Sequence, residues 1–248
     1  MQLRSMNQVI QRLDHVLERS RRESDKHGFY AALYRTTTLE LGYGQDNGVF
    51  ENPEWVERVA LNFAARYFRA LDRFESGNRA SAAWHIAFQA GHDPDLIILQ
   101  HMILGVHAHV GLDLGIAMSQ VSPNPDDLLR ARGDFNRIEN ILALAIANSR
   151  RRVAKVSPRF NTLQHIAGPA CDKLARLGLR SARRTAWTLA NSLTSTDWNR
   201  RRAIKTAHDR RTARLGLAMI HPVLKRALRP VRRHEEVNVS RVIDALLA

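Results

Sequence analysis

The chain has 248 residues and a mass of 28.2 kDa, enough for one large domain. With 44% apolar and 25% charged residues, 13 Gly and 8 Pro, it is neither collagen-like nor a low-complexity polymer. One cysteine, Cys171, excludes an intrachain disulfide and any all-cysteine zinc or iron–sulfur centre, and the net charge is +14.

Helical periodicity dominates, and β-branched runs are short and isolated. From Gln2 to Arg22, apolar residues recur every three or four positions, which predicts an amphipathic helix. A second helix is predicted from about His27 to Leu41, followed by a loop over the glycines Gly42, Gly44 and Gly48. Asn52-Pro53-Glu54 reads as a helix start, with Asn as cap and Pro in the first turn. That helix carries Trp55, Val59, Phe63, Tyr67 and Leu71 on one side and ends near Gly77. Another is predicted from Arg79 to Ala90 after an Asn78 cap. Asp93-Pro94 should open the next.

Leu96 to Met118 carries one formal charge, Asp113. Its length would span a bilayer. Gln100, His101, His107, His109 and Asp113 are too many polar groups for a lone span, so the expectation is a central helix sheathed by others. Ser122 to Pro125 should end it, and Asp126-Asp127 should open a long helix to about Lys155. Helical pattern resumes over Thr162–Leu177, Ser181–Leu193 and Asp197–Arg226, with breaks at Pro222 and Pro230, and closes with Val239–Leu247. The predicted fold is an all-α, multi-helix bundle around one buried apolar helix. A peripheral first helix would occupy 1–25, the main domain 27–220 and a basic tail 221–248.

The candidate site lies on the central helix. His101, Gly105, His109 and Asp113 recur every four residues and form one slowly turning stripe. A buried carboxylate needs a partner. His109, one turn away, is the nearest, and an Arg from the basic second half is the other. An Asp-paired His makes a general acid or base, with His101 as second polar group. The same groups would equally serve a polar network that locks helix packing. Trp84, His85, Asp134, Arg183 and Trp187 are candidate substrate-binding groups around it, one Arg neutralising Asp113 or a substrate anion. Gly105 leaves room for a ligand. Cys171 reads as a small buried thiol.

The segments W-H-x-A-F from Trp84 and Q-H-x-x-L-G-x-H-A-H-x-x-x-D-L from Gln100 resemble an uncharacterised, mainly bacterial family of helical proteins known as a domain of unknown function. Phe29 to Thr38, Gly48-Val49-Phe50 and Arg183 to Trp187 extend the similarity over roughly Phe29 to Leu193. Where that family carries Asn, this chain has His107. The resemblance implies an all-helical fold and directs attention to His101, His109, Asp113 and Asp134.

No H-E-x-x-H, E-x-x-H, G-x-S-x-G or P-loop motif occurs. Metal or haem ligation by His101 or His109 stays open without a motif to require it, so the cofactor is unknown. The charge excess belongs to the second half: residues 1–124 hold 12 basic and 14 acidic side chains, residues 125–248 hold 26 and 10. Arg150 to Arg152, Arg200 to Arg202 and Arg210-Arg211 would suit nucleic acid, anionic lipid or an acidic protein, or a solvated face. Residues 1–20 lack the apolar stretch of a signal peptide, so a cytoplasmic location is expected. Three readings follow: an intracellular enzyme using His109, Asp113 and His101 on a small molecule in an apolar pocket, a non-catalytic binding module using its basic half, or a metal- or haem-binding helical protein.

Overall fold

A computed structural model describes residues 3–248, and for 163–177 the backbone course alone. The chain is 83% helical, with no strand among the described residues. Its helices are α1 (Met6–Glu23), α2 (His27–Asp46), α3 (Pro53–Glu75), α4 (Ala82–Gln89), α5 (Ile98–Ala108), α6 (Leu114–Val121), α7 (Pro125–Arg130), α8 (Arg132–Val156), α9 (Pro158–Thr194), α10 (Trp198–Met219), α11 (Pro222–Arg232) and α12 (Val239–Leu247). The expectation for Cys171 lies outside the described side chains.

Caps fix several starts. Asn52 accepts from the Trp55 amide at 2.9 Å ahead of Pro53, as its sequence predicts. Asn124 and Asp197 cap α7 and α10 in the same way. Several boundaries differ from expectation. Asp126-Asp127 open only the short α7, and Ala131 separates it from α8, so the long helix expected there is two. Pro230 lies inside α11 rather than breaking it. Gly42 and Gly44 lie inside α2, which ends only before Gly48 at φ +67°. The α4 cap is Ser81 rather than Asn78. Asp93 closes an Asx turn on the Asp95 amide instead of capping a helix, and α5 starts later, at Ile98. The two helices expected on either side of residue 180 are one, α9, because nothing between 178 and 181 breaks the backbone ladder.

The segment α5–α6 is the predicted central helix, surrounded by α2, α3, α4, α9 and α10. Among the described residues it is the one stretch long and apolar enough to cross a membrane, and it is mostly buried in protein. Between its halves the backbone widens into a π turn over His109–Asp113, where the Leu114 amide reaches back five residues to the His109 carbonyl. Gly115 lets α9 approach closely: a Cβ there would lie 2.5 Å from the Ala186 carbonyl.

One apolar cluster joins Val9, Leu13 and Leu17 of α1, Phe29 and Leu33 of α2, Met102 of α5, and Val242, Ile243 and Leu246 of α12. The two ends of the chain therefore pack as parts of the main core rather than as peripheral pieces.

Three carboxylates of the basic half tie the layers together. Asp134 accepts from the amides of Glu51 and Asn52 at 2.9 and 2.7 Å, ahead of α3. Asp209 accepts from Ala82 and Ala83 at the start of α4, at 2.8 and 2.9 Å. Glu235 accepts from Ile98 at the start of α5 at 3.0 Å, and from the Ser157 hydroxyl at 3.1 Å. Each places acceptor oxygens where the unpaired amides of a helix start need them.

Candidate functional site

His109 is fully buried, and both ring nitrogens are occupied. Its Nε2 lies 2.9 Å from the Phe63 carbonyl, which can only accept, so Nε2 carries the proton. Nδ1 then accepts from the Tyr30 hydroxyl at 2.6 Å. The Phe63 ring stacks on the imidazole at 3.4 Å, and Tyr34, Tyr67 and Trp84 surround its edges. Burial holds the ring neutral, with a pKa of about 3. Burial also lifts Tyr30 well above its ordinary value, so its hydroxyl stays a donor.

Asp113 does not orient His109. Its Oδ1 accepts from Arg66 Nε at 2.6 Å and its Oδ2 from Trp84 Nε1 at 2.6 Å. Both carboxylate oxygens are taken by these two donors, and the π turn over His109–Asp113 shifts the helical phase that the four-residue stripe assumed. The neutralising Arg comes from α3 in the first half, not from the basic second half. Burial raises the Asp113 pKa, against the pull of Arg66 and Trp84.

Gly105 serves the same cluster. A Cβ at this position would meet the Tyr30 ring at 2.3 Å. The bare backbone lets Tyr30 lie against the central helix and reach His109, rather than leaving space for a ligand.

His101 carries a buried ring nitrogen left without a partner. It is 7% exposed, its ring lies edge-on to Phe29, and its Nε2 has no hydrogen-bond partner. Burial lowers its pKa to about 3. The Tyr67 hydroxyl is also buried and also unpartnered. Both residues line one small void of about 10 Å³, together with Tyr30, Trp84, Gly105 and His27.

Outside this void lies an open polar cleft of about 530 Å³ formed by Arg19, Glu23, Asp25, Glu75, His92 and neighbours. Lys26, His27 and Gly91 border both spaces. His27 lines both spaces. Its Nε2 faces the Phe88 carbonyl at 2.8 Å and its Nδ1 faces Asp25 at 3.0 Å, so both nitrogens donate and the ring is an imidazolium. Burial opposes that charge, but Asp25 outweighs it and holds the His27 pKa above its ordinary value. Asp25 is correspondingly lowered by His27 despite its own burial.

The other predicted site residues are elsewhere. Asp134 is committed to helix amides and to Arg137 at 2.9 Å. Arg183 is buried, pairs with Glu139, donates to the Phe135 carbonyl and lies 4.0 Å over the Phe135 ring. Burial lowers its pKa to about 10. Trp187 packs on Phe135 and under Arg132. These groups knit α8 to α9, and none lines the His101 void. His85 is exposed and touches Phe74. His107 donates to the Thr212 carbonyl. Trp84 lines the void with its indole N–H already given to Asp113.

Tyr67, Tyr30, Arg66 and His27 were not singled out from sequence. Tyr67 lay in the apolar stripe of α3, and its hydroxyl was the available signal; Arg66 beside that stripe was another. Among the described residues no three His, Cys, Asp or Glu side chains group so as to hold a metal ion. No curated protein and no solved structure matches this chain. A family model described as a family of unknown function, DUF5995, matches residues 6–222, most of the chain, and the protein therefore belongs to that family.

Proposed function

We propose that the protein binds a small hydrogen-bonding molecule, whose polar end enters the void between His101 and Tyr67 and whose remainder lies in the outer cleft. The carrying observation is that two buried polar atoms, His101 Nε2 and the Tyr67 hydroxyl, lack partners and belong to residues lining the same void. Buried polar groups are normally satisfied, and an orphan costs about 1–3 kcal/mol. The void admits only a group of roughly water size, such as a hydroxyl or an amide oxygen.

Acid–base chemistry, the reading that the histidine stripe suggests, falls in this proposal to His101 and Tyr67. His109 and Asp113 hold Tyr30, Trp84 and Arg66 in place around them. A neutral His101 with a low pKa suits hydrogen bonding better than proton abstraction at neutral pH, so recognition takes precedence over turnover. A cytoplasmic setting accords with the single cysteine.

The test is thermal unfolding with acetamide, imidazole and glycerol as probes, on wild type and on Tyr67→Phe/His101→Phe. A probe that raises the wild-type midpoint and leaves the double variant unmoved supports the site. Identical responses in both proteins contradict it.

A further inference from the structure

We propose that the corner between α10 and α11 is a docking tip for an anionic membrane surface. Residues 215–224, Leu-Gly-Leu-Ala-Met-Ile-His-Pro-Val-Leu, contain no Asp, Glu, Lys or Arg. Four large apolar side chains project from this corner: Leu215 is 50% exposed, Leu217 52%, Val223 69% and Leu224 38%. Scattered exposed leucines are ordinary, whereas this turn concentrates exposed apolar side chains within ten uncharged residues, Leu217 at the end of α10 and Val223 at the start of α11 among them.

The corner is not a loose end. The Met219 carbonyl accepts from Gln100 Nε2 at 2.8 Å, and Met219 and Ile220 pack against Leu96 and Leu104. Lys225 pairs with Asp93, and Arg232 donates to the Pro94 carbonyl at 2.9 Å. The bundle thus holds the turn firmly from below and still leaves its apolar side chains in water.

Charge identifies the partner. Residues 200–233 hold twelve Arg and Lys against one acid, Asp209, which is already engaged at the start of α4. Arg210, Arg211 and Arg214 flank the apolar corner on one side; Arg226, Arg229 and Arg233 flank it on the other, and all six are exposed. Their surface suits a phosphate-rich plane. Nucleic acid would use the arginines and leave the leucines idle, whereas a bilayer uses both: phosphate and carboxylate headgroups meet the guanidinium groups, and Leu217 and Val223 enter the acyl boundary.

The experiment is co-sedimentation of the full chain with vesicles of phosphatidylcholine alone, and of equal parts phosphatidylcholine and phosphatidylserine, with a DNA duplex as competitor. Two surface variants accompany wild type: Leu217→Ser/Val223→Ser and Arg211→Gln/Arg214→Gln. The proposal expects wild type to pellet with the serine-containing vesicles and not with phosphatidylcholine alone. It expects the arginine variant to bind about thirtyfold more weakly, at roughly a fivefold loss for each basic residue, and the apolar variant to lose most binding with an unchanged far-ultraviolet circular dichroism spectrum. No pelleting of wild type overturns the proposal. So does tight DNA binding that displaces the vesicles and is untouched by Leu217→Ser/Val223→Ser, which would assign the face to nucleic acid.

Discussion

Arg66 Nε lies 2.6 Å from Oδ1 of Asp113, bringing a side chain of α3 onto a carboxylate of the central helix that is 2% exposed. The pair also fixes Trp84, whose indole donates to the other carboxylate oxygen. A buried ion pair adds little over an apolar replacement, but removing one partner strands the other charge. Arg66→Met should therefore destabilise the fold by about 3–5 kcal/mol, and Arg66→Met/Asp113→Asn should recover a large part of that loss. Urea unfolding of the two single variants and the double variant measures the coupling; additive losses would show that the pair is not coupled.

Gly105→Ala has opposite expected signs on two grounds. Helix propensity alone would stabilise the protein by about 1 kcal/mol. The added methyl group would run into the Tyr30 ring, and overpacking of this kind costs about 1–3 kcal/mol or more. A net loss of stability is expected, with a changed tyrosine fluorescence or near-ultraviolet circular dichroism signal as Tyr30 shifts. A net gain would mean that Tyr30 is not held against the helix.

The buried histidines predict acid lability. Burial lowers His101 and His109 from 6.5 to about 3. Their folded values lie below the unfolded ones, so the stability contributed by the neutral rings is complete above about pH 6.5. It is lost as pH falls toward 3, at about 1.4 kcal/mol per pH unit for each ring. Urea midpoints measured from about pH 7 to about pH 4 should fall steeply, and His101→Phe should remove one ring's share of the slope. A flat profile would contradict the burial of both rings.

Glu235 acts in the opposite sense. Burial raises its pKa from 4.5 to about 7, so its contribution is complete below about pH 4.5 and is lost as pH rises through about 7. Glu235→Gln keeps an acceptor for the Ile98 amide and removes the titration. Stability of this variant should fall more steeply with acid than wild type between about pH 4.5 and 7. An unchanged slope would place the Glu235 carboxyl in water.

Much of the architecture was legible in residue spacing. The cap at Asn52-Pro53, the central helix and the last helix at Val239–Leu247 follow from local signals that tertiary packing did not override. The histidine stripe was legible as a buried polar feature, but its pairing was not. A single π turn shifts the phase between His109 and Asp113, and no residue in His109–Asp113 announces it. Long-range partners were equally hidden: Asp134, Asp209 and Glu235 lie 82 or more positions from the amides they accept. Asp134 and Arg183 looked like site residues because buried charge looks the same in sequence whether it binds a ligand or a neighbouring helix. The vacancy beside Tyr67 arises where α2, α3, α4 and α5 meet, and only their packing creates it.

The most direct measurement is the unfolding free energy of Tyr67→Phe against wild type, both without added ligand. If the hydroxyl is held unpartnered for an incoming molecule, its removal leaves the free protein as stable as before or stabilises it by about 1 kcal/mol. A loss of more than about 1 kcal/mol would mean that the hydroxyl already has a permanent partner such as an enclosed water, and the space beside His101 would then be part of the scaffold.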